Sequence, residues 1–119
     1  MKEEPRRAQR ICVPLIVEYW PVNSSQEWLQ RTQGLNISLT GLCFRLAEQI
    51  PVGTRIMVRM GIVGDPQRVT ATGRVVWMKE AGIVGGQPFE AGLQFTQVDP
   101  KGIRQLIQAG SLYWKEVTL

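Results

Sequence analysis

Between Val13 and Tyr19 the odd positions Val13, Leu15, Val17 and Tyr19 are all apolar, the period expected of a strand with one face in a core, and Pro14 falls near its start. A polar turn, Asn23-Ser24-Ser25, leads into a second strand of mixed polarity over Gln26 to Leu35. In the next strand Leu42, Phe44 and Leu46 fall on one side, and Cys43 and Arg45 on the other. Pro51-Val52-Gly53 marks a turn, after which Ile56, Val58, Met60 and Ile62 alternate with Arg55, Met57, Arg59 and Gly61. Gly64-Asp65-Pro66 reverses the chain again. Val69 to Trp77 reads as a longer strand with Gly73 at a bend or bulge, Gly82 to Gly86 as loop, and Phe89 to Val98 as the last strand. The period then changes. Asp99 is placed to cap a helix with Pro100 at its first position, and Ile103, Leu106, Ile107 and Gly110 share one helical face. The expectation is a mainly β chain: a six-stranded antiparallel β-barrel with a C-terminal α-helix covering one opening. It forms a single domain over residues 1–119, with an arm at 1–11, the barrel at 12–98 and the helix at 99–114.

Composition narrows the possibilities. A chain of 119 residues has room for one core, and its 12 glycines and 7 prolines lie between short apolar runs, as turns between strands do. No apolar run approaches the ~20 residues needed to cross a bilayer, and the N-terminus is charged where a secretory signal would be apolar. We therefore expect a soluble, cytoplasmic protein without membrane insertion. Cys12 and Cys43 lie far apart in apolar surroundings and read as reduced packing residues. With no histidine, no cysteine spacing suited to a metal, no close acid pair and no nucleophile motif, neither catalysis nor a resident metal or cofactor is expected.

The formal charge is +4, and most of the 14 basic residues are arginine, which favours planar recognition of phosphate or guanine over a solubilising lysine surface. Arg55, Arg59, Arg68 and Arg74 read as lining the wet faces of strands. The polar arm is different. It lacks apolar periodicity and carries Arg6-Arg7-Ala8-Gln9-Arg10, an R-x-x-x-R pair of guanidinium forks able to bind phosphate or the O6/N7 edge of guanine. About thirty residues later Asn36-Ile37-Ser38-Leu39-Thr40-Gly41 reads N-x-S-x-x-G, offering an amide, a hydroxyl and a glycine at the turn into the third strand.

This bipartite arrangement resembles the signature of the PilZ family, whose members bind the bacterial second messenger cyclic di-GMP. The likeness extends to Pro51-Val52-Gly53-Thr54, to Gly73-Arg74-Val75-Val76-Trp77 and to Gly92-Leu93-Gln94-Phe95. It implies that Arg6 and Arg10 clamp guanine edges and phosphates with Arg7 assisting, that Asn36 bonds a guanine and Ser38 a phosphate, that Gly41 leaves space beside the main chain, and that Trp77 lies against a base. Pro5 stands where the family often has a further arginine, and Asn36 where aspartate is more frequent. The resemblance implies a stand-alone, non-catalytic cyclic di-GMP receptor that signals to a protein effector when its arm orders on the ligand. The alternative is a small basic barrel binding single-stranded nucleic acid, which the confinement of the arginine cluster to a short arm disfavours.

Overall fold

The computed structural model describes residues 15–23, 28–84 and 86–118. Six strands, β1 (Leu15–Pro21), β2 (Gln30–Ile37), β3 (Gly41–Leu46), β4 (Arg55–Ile62), β5 (Val69–Val84) and β6 (Gln87–Gln97), precede one helix, α1 (Pro100–Thr118). Every strand pairs antiparallel with its neighbours, and the order β1-β2-β3-β6-β5-β4 closes into a barrel. Closure pairs every strand on both sides within the barrel, while the part of β5 beyond its β4 register at Arg74 pairs with β6 alone.

Alternation along the strands accounts for the lumen. Leu15, Val17, Ile37, Leu42, Phe44, Leu46, Ile56, Val58, Met60, Ile62, Val75 and Leu93 point inward and are almost wholly buried. Pairing registers bring Leu15, Ile62 and Val69 to one end of the barrel, where Ile103 and Leu106 of α1 join the core and Gly102 rests against Val69. Asp99 caps α1 as its position implied: the Lys101 amide donates to its carboxylate at 3.1 Å and the Ile103 amide to its carbonyl at 3.2 Å.

The outer surface is organised in rows running across the strands. Glu18 stands between Arg31 and Arg59 in register and accepts from both, at 2.8 and 2.7 Å. Glu90 stands likewise between Arg45 and Lys79. Each acid pairs with a base on either side, the favourable form of a cross-strand pair.

Two expectations are corrected, and one buried arginine adds to the picture. β5 does not stop at Trp77 but runs to Val84, so Gly82 belongs to a long hairpin with β6 rather than to a loop. β2 begins at Gln30 and ends at Ile37, which puts Asn36 inside a strand. Arg45 is buried despite facing away from the lumen. Its guanidinium donates to the carbonyls of Ala81, Gly82 and Gln87 and to Glu90, gripping the hairpin extension from β3. Among the described residues no helix is long and apolar enough to cross a membrane.

Candidate functional site

Register places four residues side by side on the outer wall of the barrel. Asn36 of β2 is opposite Cys43 of β3, Cys43 is opposite Gly92 of β6, and Gly92 is opposite Trp77 of β5. Two residues along, Gly41, Gln94 and Arg74 form a parallel row. Together with Ser38, Thr40 and Val76, the first row, Gly41 and Gln94 enclose an open cleft of about 360 Å³.

Backbone irregularities shape this cleft. A bulge between Val75 and Trp77 breaks the alternation of β5, so Val76 and Trp77 are both exposed, at 43% and 39%. The indole lies over Gly92, where any Cβ would collide with it. Lys79 Nζ stands 5.7 Å from its ring centroid. Trp77 is thus an open aromatic wall, the property required of a surface that stacks on a base. A second bulge, between Gly34 and Asn36, sets Asn36 at the opposite wall.

The segment from Ser38 to Gly41 is a self-supporting turn. The Ser38 amide donates to the Gly41 carbonyl at 2.9 Å, and the Thr40 amide donates to Ser38 Oγ at 3.2 Å. The Thr40 carbonyl in turn accepts from the Phe95 amide at 2.9 Å, fastening the turn to β6. Ser38 is only 5% exposed, so its hydroxyl serves the turn as well as the cleft it lines. Gly41 also has a reason of its own: a Cβ there would strike the carbonyl oxygen of Leu93. The space beside Gly41 is therefore taken by the neighbouring strand, and the glycine is needed for β3 and β6 to approach.

Of the residues expected to form the site, Asn36, Ser38, Gly41 and Trp77 meet in this one cleft. Arg6, Arg7 and Arg10 lie outside the described residues, as does Cys12. Cys43, read from sequence as packing, lines the cleft instead, and Gly92 and Gln94 were not foreseen. Gly92 and Gln94 belong to a stretch that carries the family likeness, but their place in the cleft follows from cross-strand register, which alternation within each strand does not reveal. No charged residue lines the cleft among the described residues, and no three of their acids and cysteines are grouped to hold a metal ion.

Comparison with solved structures finds the same fold repeatedly. Bacillus subtilis inhibitor of motility (MotI/DgrA) superposes with a TM-score of 0.74 at 15% identity, over 96% of this chain and 53% of that one. The PilZ domain of Escherichia coli YcgR with c-di-GMP gives 0.70 at 19% identity, over 96% and 95%. The K. pneumonia MrkH-c-di-GMP complex gives 0.70 at 10% identity, over 96% and 56%. The chain thus spans about half of MotI and MrkH and nearly all of the isolated YcgR domain. No curated protein matches it. The sequence model of the PilZ domain matches residues 4–109, most of the chain and both halves of the bipartite motif, and the chain belongs to the PilZ domain family.

Proposed function

We propose that this protein is a non-catalytic receptor for cyclic di-GMP, which binds on the outer wall of the barrel between Trp77 and the Ser38–Gly41 turn. The observation that carries this reading is the convergence, in one uncharged cleft, of an exposed indole with Asn36, Ser38, Thr40 and Gln94. An aromatic face and neutral hydrogen-bonding groups suit a guanine, whose edge offers both acceptors and donors. The counter-charge for the phosphates comes in this reading from Arg6, Arg7 and Arg10, which close over the ligand. Membership of the PilZ family and the c-di-GMP complexes of YcgR and MrkH support the same assignment.

Relay to a protein partner belongs to this proposal. Leu39, between the cleft-lining Ser38 and Thr40, faces a groove shared with Arg104, Ile107, Gln108 and Ser111 of α1. A ligand that tightens the turn changes the surface presented there.

Calorimetric titration tests the proposal. Cyclic di-GMP binds at micromolar affinity or tighter, about 8 kcal/mol, while linear pGpG, GTP and cyclic di-AMP bind far more weakly. Absence of heat at ~100 micromolar ligand, ample for a micromolar site, overturns it.

A further inference from the structure

The rows on the outer wall differ in one respect that the cyclic di-GMP reading leaves unexplained. Glu18 sits between Arg31 and Arg59, and Glu90 between Arg45 and Lys79, so in two rows an acid separates and pairs with the bases on either side. The row Arg55, Arg74, Gln94, Gly41 contains no acid. Arg55 and Arg74 lie directly opposite each other on β4 and β5, both exposed, and like charges so placed are destabilising. Neither side chain has a hydrogen-bond or ion-pair partner among the described residues, whereas Arg68, also exposed, donates to the carbonyls of Asp65 and Gln67. This row runs into the cleft. Gln94, the cross-strand neighbour of Arg74, lines it, and so do Val76 and Trp77 just beyond Arg74 on β5.

A cyclic dinucleotide brings two phosphodiester charges to a cleft that has no charge of its own. We infer that Arg74, backed by Arg55, is an anion-binding position that takes a phosphodiester of the bound dinucleotide on the β5 side of the cleft. The inference rests on the cyclic di-GMP reading above. The ligand completes the third row as Glu18 and Glu90 complete the other two. Guanidinium forks suit the task because they meet phosphate oxygens bidentately and remain charged at any physiological pH.

The test compares the full chain with Arg74→Ala, Arg55→Ala, the double variant and Arg68→Ala as a control. In calorimetry with cyclic di-GMP, Arg74→Ala weakens binding roughly tenfold or more, as for loss of a hydrogen bond to a charged group. Arg55→Ala has a smaller effect. The double variant falls short of the product of the two, because both side chains act on one anion. Without ligand, Arg74→Ala melts no lower than the parent, since a repulsion has been removed, and this separates a ligand-binding arginine from a structural one. Binding by Arg74→Ala and the double variant equal to that of Arg68→Ala overturns the inference. Inorganic pyrophosphate supplies an arm independent of the dinucleotide. If the parent protein does not bind cyclic di-GMP, the reading of the cleft fails. A melting-temperature rise with pyrophosphate that the double variant lacks then still upholds an anion position at Arg55 and Arg74, and equal responses of the two proteins overturn it.

Discussion

Glu18 shows how much a single residue can organise. Its carboxylate accepts from Arg31 and from Arg59, and those bonds, Arg31's foremost, hold its pKa below the ordinary glutamate value. Because folding lowers this pKa, the stabilisation is present at neutral pH and is lost as pH falls through the lowered value. Glu18→Gln is therefore expected to be less stable at pH 7 by about 1–2 kcal/mol, a figure held down by the exposure of Arg31. Urea unfolding across pH should show the difference from the parent shrinking as pH falls below the ordinary glutamate range and through the lowered value of the folded state. Gly92 matters for the opposite reason, the absence of a side chain. In Gly92→Ala the new methyl group must displace the Trp77 indole, so cyclic di-GMP affinity should fall by the worth of one stacked base, ~1–3 kcal/mol. Calorimetry on Trp77→Ala with and without Gly92→Ala checks this. The second substitution should cost nothing further once the indole is gone.

At the level of elements, what could be read in advance follows from where each residue's partners lie. The β4 strand was legible because Ile56, Val58, Met60 and Ile62 alternate without interruption and all four are buried. The helix was legible from Asp99, Pro100 and the spacing of Ile103, Leu106 and Ile107, local signals that need no knowledge of the barrel. Asp99→Ala should cost ~1 kcal/mol in urea unfolding, the usual value of a lost N-cap, with little effect on ligand affinity because α1 does not line the cleft. The far half of β5 was not legible. Gly82 within it, with Gly85 and Gly86 following in the sequence, mimics a loop, and what keeps the hairpin extended is Arg45, reaching from β3 to carbonyls some forty residues away. The cleft divides in the same way. Asn36, Ser38, Gly41 and Trp77 were implied as site residues by the family likeness, whereas Cys43, Gly92 and Gln94 come to the cleft through the pairing of β3 with β6, which no single strand displays.

The whole molecule is a closed barrel whose proposed ligand lies outside the lumen, and signalling then depends on a cover. If the segment bearing Arg6, Arg7 and Arg10 closes over bound cyclic di-GMP, trypsin should cut after those residues readily in the free protein and much more slowly at saturating ligand. Unchanged cleavage despite measured binding would place the signal elsewhere, with the turn at Leu39 and its groove against α1 as the next region to probe. The position of the cleft also bears on how such a receptor can change over generations. Inward residues of β2, β3, β5 and β6 build the core while most of the cleft comes from their outward neighbours, with Leu42 and Leu93 shared between the two. If the cleft binds the messenger as proposed, substitutions at Asn36, Val76 or Gln94 should reset the concentration that triggers a response while the melting temperature stays nearly fixed. Gly41 and Gly92, each pressed against a neighbouring strand's atoms, and the buried Ser38 tie sensitivity to folding. A lineage built on this barrel can thus spread into receptors with graded thresholds, each reporting a different level of one signal, without first acquiring stability to spare.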